Sequence, residues 1–147
     1  MDITVCIDTI WGYSKYYGDL VASSQRFFEM GEGYAAFLML FNATELIFKS
    51  LRESDKETLA CDINYLKTKG ILEEEEAAFF LNENGPKRIR NIMTHRDLYQ
   101  YCFEIDNKAY FFADRETWSV VYEKFAPTII VILYNAILRY NIIGQEE

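Results

Sequence analysis

The chain has 147 residues and a formal net charge of −8; half of its residues are apolar and only two are prolines. This composition is typical of one globular domain with one core, and it excludes an intrinsically disordered chain. The negative charge opposes non-specific binding to long nucleic acids, although it leaves room for a local basic site. The longest apolar runs, 33–43 and 126–138, are shorter than the roughly 20 residues of a membrane-spanning helix. They therefore predict buried helices and no membrane partner.

Apolar residues at helical spacing predict a first helix from about residue 2 to residue 30. Gly31 and Gly33 then break the chain, and a second helix is expected from about residue 34 to residue 52. This second helix is apolar nearly all round in its first half, a pattern typical of a central, buried helix.

The sequence Ser54-Asp55-Lys56-Glu57 has the pattern of a capping box, which predicts the start of a third helix that ends near Gly70. A fourth helix is expected to start near Leu72, because four glutamates follow where the helix dipole favours acids. Asn84 and Gly85 end it. Pro86 is then well placed as the first residue of another helix.

Beyond that helix, apolar and polar residues alternate from Tyr101 to Phe112 around Asp106-Asn107, which predicts a short β-hairpin. A last helix is expected from about residue 115 to residue 143, kinked or restarted at Pro127 and ended by Gly144. The chain is therefore predicted to form one all-α domain, residues 1–147. We expect a bundle of about five helices with a small β-hairpin insertion.

Three cysteines do not have the spacing of metal ligands, and their odd number without a signal peptide predicts reduced thiols in a cytoplasmic protein. We interpret Cys6, Cys61 and Cys102 as small core residues. Because the chain has a single histidine as well, neither a metal site nor a cofactor is predicted.

The only histidine lies in the sequence Arg90-Asn91-Ile92-Met93-Thr94-His95. Arginine offers a planar, bidentate charge for phosphate oxygens, and histidine suits proton transfer near neutral pH. Asn91 can orient either partner. On a helix a step of five residues turns the chain by about 140°, so Arg90 and His95 would not share a face, whereas Asn91 and His95 would.

Residues 87–96 hold Lys87, Arg88, Arg90 and Arg96 with no acid among them, which makes this the densest positive stretch of an acidic chain. Lys87, Arg88 and Arg96 are the candidate ligands of flanking phosphates. The alternative interpretation is a solvated helix face.

A second pattern, on the predicted second helix, places Glu45 and Lys49 four residues apart, in the favourable order for an ion pair. The surrounding helix is strongly apolar, so these charges must either be partly buried as a pair or line a cleft. We therefore include Glu45 and Lys49 among the candidate substrate-binding residues.

Together, these two patterns resemble HEPN domains. An Arg-x4-His motif with a polar residue after the arginine is the signature of that family, and many members also carry a helix-two pattern like residues 43–51, with Glu and Lys in this spacing. The resemblance extends over most of the chain.

The resemblance implies an up-and-down helical bundle that dimerises, so that two Arg-x4-His motifs form one composite site. Many HEPN proteins are metal-independent endoribonucleases of toxin–antitoxin and other defence systems. Carried onto this sequence, Arg90 and His95 would be the catalytic pair, with Asn91 as their support. The implied partners are RNA, a second copy of the chain, and an antitoxin or nucleotidyltransferase.

Two other functions stay open. In one, the cluster belongs to a non-catalytic module that binds a nucleotide, RNA or a partner protein, with His95 merely hydrogen-bonded. In the other, the motif only stabilises a helix start and the dimer.

Overall fold

Helices account for most of the chain, as predicted for an all-α fold. A computed structural model describes residues 1–95 and 100–146; for His95 and Glu146 only the helical backbone is described. Within these residues there are seven helices and one two-stranded antiparallel sheet, so the prediction of about five helices was too low. In chain order they are α1 Ile3–Tyr13, α2 Lys15–Glu29, α3 Gly33–Arg52, α4 Leu59–Thr68, α5 Glu74–Leu81, α6 Pro86–His95, β1 Cys102–Ile105, β2 Lys108–Phe111 and α7 Arg115–Glu146.

The predicted first helix is divided into two at Ser14, which has an extended backbone (φ −151°, ψ 117°). The Ser14 hydroxyl accepts a hydrogen bond from the Tyr17 amide at 3.3 Å and so caps α2. The two helices meet in a tight corner, because a Cβ atom on Gly18 would lie 2.4 Å from the Cα of Trp11. The prediction of one helix over residues 2–30 was therefore wrong.

Helix α3 is the central element, as its apolar pattern predicts. It packs on both α2 and α7. At its start the backbone of α7 comes so close that a Cβ atom on Gly33 would lie 2.3 Å from the Ser119 amide nitrogen. Its buried residues are Gly33, Ala36, Phe37, Leu40, Phe41, Ala43, Thr44, Ile47, Phe48 and Leu51.

The third predicted helix begins later than expected. Thr58, and not Ser54, is its N-cap, and the Thr58 hydroxyl accepts from the Cys61 amide at 3.2 Å. The capping box occurs instead at the next helix, α5, where the Glu76 carboxylate accepts from the Glu73 amide at 2.8 Å. The Thr58 N-cap and the capping box of Glu73 and Glu76 both satisfy free amides at a helix start. For this reason the local sequence alone did not show which type of cap each helix uses.

The β-hairpin is confirmed, with Cys102 opposite Phe111 and Ile105 opposite Lys108. Asp106 and Asn107 form its two-residue turn, both with positive φ (52° and 66°), the conformation that such turns require. At the end of β2, the Phe111 carbonyl accepts a hydrogen bond at 2.7 Å from the hydroxyl of Thr117, in the first turn of α7.

Helix α7 is continuous through Pro127 and includes Gly144, so the predicted restart and the predicted end were both wrong. Proline removes one backbone hydrogen bond, to the carbonyl of Glu123. Both Pro127 and Glu123 are solvent-exposed, so water can satisfy that carbonyl.

Of the three cysteines, only Cys6 is in the core; Cys61 and Cys102 are exposed, which corrects their assignment as core residues. They are the outward-facing positions of α4 and β1, whose apolar faces are formed by other side chains.

Two helices of the described part, α3 and α7, are long and apolar enough to cross a membrane by length and composition. Half of the relevant stretch of α3 is buried inside the protein, and 39% of that of α7. Core helices pass the same test, so the cellular location stays a prediction.

Candidate functional site

Helix α6 carries the Arg-x4-His motif and begins at Pro86, as predicted. Ile89, Ile92 and Met93 bury one face of this helix in the core. The opposite face holds the polar residues, since the buried positions fix the rotation of the helix about its axis. Arg88, Asn91 and Thr94 are exposed, and Lys87 and Arg90 are half-buried.

The two patterns of the sequence meet in an ion pair between α3 and α6. Glu45 Oε1 lies 3.0 Å from Arg90 Nε, and the two side chains are 22% and 32% exposed. The pair is made through Nε, which leaves the terminal amino groups of the guanidinium as further donors for an anion. Among the residues that the structure describes, Glu45 is the only ion-pair partner of Arg90.

A groove of about 370 Å³ opens beside this ion pair, within the size range of small-ligand sites. Three elements line it: α3, the start of α4, and α6. The groove lies beside the first turn of α4, where the positive end of the helix dipole favours an anion, as do the cations Lys87 and Arg90. The lining residues are Phe41, Glu45, Thr58, Leu59, Ala60, Lys87, Arg90 and Asn91.

Of the two alternatives for Glu45 and Lys49, the mutual ion pair is not formed, because each side chain has another partner, whereas Glu45 does line a cleft. Lys49 Nζ lies 2.9 Å from Asp62 Oδ2 and donates to the Glu57 carbonyl at 2.6 Å. Arg52 Nη1 lies 3.2 Å from the other oxygen of Asp62, which is completely buried. Lys49 therefore lies outside the groove, and the structure does not bring it together with the other candidate residues.

For the three remaining candidate residues, the structure gives different amounts of information. Arg88 is exposed on α6 but does not line the groove. His95 is the last residue of α6; its side chain lies outside the described residues, as does the whole of Arg96. In the α-helix that is observed, the backbone positions 90 and 95 point about 140° apart, and positions 91 and 95 are one turn apart.

The contribution of α4 to the groove was not predicted from the sequence. Thr58, Leu59 and Ala60 line the groove, and Asp62 holds Lys49 away from it. A threonine before an apolar stretch is an N-cap signal that could have identified the start of α4. Its position beside α6, however, depends on tertiary packing.

No group of three or more His, Cys, Asp and Glu side chains in the described part of the chain is placed to hold a metal ion. Metal independence stays a prediction.

No protein-family model matches the chain, and neither a curated protein nor a solved structure is significantly similar to it.

Proposed function

We propose that this protein is a metal-independent endoribonuclease of the HEPN type. The observation that carries the proposal is the ion pair between Glu45 and Arg90, at 3.0 Å, because it joins the two sequence patterns on which the resemblance depends. The groove beside this pair adds Lys87 and Asn91 from the same helix. This concentration of cationic and amide groups suits a phosphate in an otherwise acidic chain.

In the proposed reaction the 2′-hydroxyl of RNA attacks the adjacent phosphorus while the bond to the 5′-oxygen breaks. The products are a 2′,3′-cyclic phosphate and a free 5′-hydroxyl. His95 acts as general base or acid and transfers the proton. Arg90 stabilises the charge that builds up on the phosphoryl oxygens, and Asn91 holds one of these oxygens in place.

The active unit in this proposal is a dimer of up-and-down bundles. Positions 90 and 95 of one α6 diverge by about 140°, so one helix presents Arg90 and His95 to one phosphate poorly. A second copy removes this difficulty, since the arginine of one subunit can then serve a histidine of the other. We propose a cytoplasmic toxin or defence effector, with an antitoxin or nucleotidyltransferase as the natural partner.

The deciding experiment is RNA cleavage in EDTA by the wild-type protein and by its His95→Ala, Arg90→Ala and Arg26→Ala variants. Arg26 is an exposed arginine whose side chain bonds to Ser23 on α2, which makes it a matched control. We expect total RNA to be cut by the wild type and by Arg26→Ala only. Equal cleavage by all four proteins would contradict the assignment of Arg90 and His95.

One observation favours the second function, a non-catalytic module. Arg90 is already paired with Glu45, and the volume of the adjacent groove is within the range of small-ligand sites. Such a module would bind a nucleotide or RNA without turnover, and its overexpression would not slow growth. Calorimetry with nucleotides, together with the RNA cleavage experiment in EDTA, distinguishes the two functions: binding without cleavage would favour the non-catalytic module.

A further inference from the structure

Helix α3 exposes two large apolar side chains on the face that also carries Glu45. Tyr34 and Leu38 are 38% and 37% exposed, although α3 is the most buried helix of the fold. Residues 34, 38 and 45 are separated by four and seven positions, so they follow one stripe along the helix. The stripe leads from the ion pair with Arg90 towards the start of α3.

The Tyr34 ring packs against a buried aromatic residue, Trp118. It makes an edge contact with the Trp118 ring, with centroids 5.0 Å apart and an angle of 85° between the planes. Trp118 in turn stacks on Phe112 at 5.0 Å and donates from Nε1 to the Phe112 carbonyl at 3.1 Å. An aromatic side chain fixed in this way loses little conformational entropy when a ligand binds.

The stripe carries no charge between its two ends. The exposed α3 positions between Tyr34 and Glu45 are Leu38 and Asn42, in a chain with a net charge of −8. A neutral surface with a fixed aromatic ring suits the face of a nucleobase, and the cations Lys87 and Arg90 suit its phosphates. Tyr34 and Glu45 are eleven positions apart on the helix, or about 16 Å, a length that a few nucleotides of single strand can span.

We propose that Tyr34 is a base-stacking subsite for single-stranded RNA, a few nucleotides away from the phosphate that Arg90 contacts. This inference rests on the proposed ribonuclease function and adds a specific contact to it. Every base has a stacking face, so the subsite tolerates different sequences. Paired RNA fits poorly, because its bases are already stacked within the duplex.

The test is a binding titration with a labelled oligouridine of about ten nucleotides, 2′-O-methylated so that it cannot be cleaved. The wild-type protein is compared with Tyr34→Leu, which keeps an apolar contact with Trp118, and with Tyr34→Phe, which keeps the ring. Tyr16→Leu is the matched control, because Tyr16 is a 62% exposed tyrosine on α2. A 2′-O-methyl dinucleotide, too short to reach Tyr34 from the groove, is the second probe.

We expect Tyr34→Leu to weaken oligouridine binding about tenfold, within the range of one base–aromatic stack, and to leave dinucleotide binding unchanged. Tyr34→Phe and Tyr16→Leu should bind like the wild type. The slope of log K against log salt should be the same in all four proteins, because stacking releases no counterions.

Two results would overturn the inference alone. One is RNA cleavage by the wild type with equal oligouridine affinity in all four proteins. The other is a halved molar mass of Tyr34→Leu in light scattering, which would make the stripe a contact between two copies. If the wild type neither cuts RNA nor binds the oligouridine, the proposed function fails together with the inference.

Discussion

Two ionic clusters lie one turn apart on helix α3 and differ in their surroundings. Glu45 pairs with Arg90 beside an open groove, and both side chains are partly exposed. One turn later, Lys49 and Arg52 enclose Asp62, whose carboxylate is completely buried. Arg52 also lies over the Tyr65 ring, 4.6 Å from its centroid.

The difference separates an ion pair suited to a ligand from one that holds two helices together. In the cluster around Asp62, both carboxylate oxygens are bound to cations, so α4 is fixed on α3. Lys49 lines a separate groove of about 330 Å³, but its amine is bound to Asp62 and to the Glu57 carbonyl. In the cluster of Glu45 and Arg90, the guanidinium keeps further N–H donors beside Lys87 and Asn91, where an anion can approach. The sequence does not show that Glu45 and Lys49 belong to different clusters, because their spacing of four residues is that of a single ion pair.

The largest expected difference is between the two arginines. Arg90→Ala should lower the kcat of RNA cleavage about 10²- to 10³-fold, because it removes a preorganised charge at the phosphate. Arg52→Ala should leave kcat unchanged, since Arg52 is bound to Asp62. Single-turnover cleavage of one RNA by both variants measures this. Equal losses of rate would remove the functional distinction between the clusters.

The two acids should differ next, in stability. Asp62→Ala should lower the free energy of unfolding by about 2–3 kcal/mol, because it removes the buried carboxylate that two cations share. Glu45→Ala should cost less than about 1 kcal/mol, as is usual for a partly exposed pair. Urea titrations of both variants measure this. A larger loss for Glu45→Ala would make the groove pair the structural one.

A smaller effect on activity is expected from Glu45→Gln, which keeps the size of the side chain and removes its charge. We expect kcat to fall about tenfold because Arg90 is less firmly oriented, with little change in KM. Glu53→Gln is the control, since Glu53 accepts from the Tyr140 hydroxyl outside the groove. A rise in kcat for Glu45→Gln would show instead that Glu45 restrains Arg90.

The smallest effect concerns the two lysines. Lys87→Ala should reduce the salt slope of RNA binding by about one, as expected for one lost phosphate contact. Lys49→Ala should leave the slope unchanged, because Lys49 is bound to Asp62 and the Glu57 carbonyl. Anisotropy titrations at several salt concentrations decide this. A reduced slope for Lys49→Ala would restore Lys49 as a substrate ligand.

Much of the fold could be predicted from local sequence. The helix that begins at Pro86, the hairpin turn at Asp106-Asn107 and the buried helix α3 were all predicted near their observed positions. In each case the signal is local in the sequence: a proline at a helix start, two turn residues, or the apolar run 33–43. The break at Ser14 was missed, because a run of helical periodicity does not show that the chain turns back on itself there.

The sequence by itself determined the elements of the site: an acid on α3 and a short cationic helix, each with a distinctive spacing of residue types. Only the tertiary structure decided how these charges pair. Glu45 and Lys49 are four residues apart, and their mutual attraction at a surface amounts to a few tenths of a kcal/mol. The packing of α4 and α6 against α3 brings Asp62 to Lys49 and Arg90 to Glu45. These contacts are less exposed than a surface pair, and they replace the weak local attraction between Glu45 and Lys49.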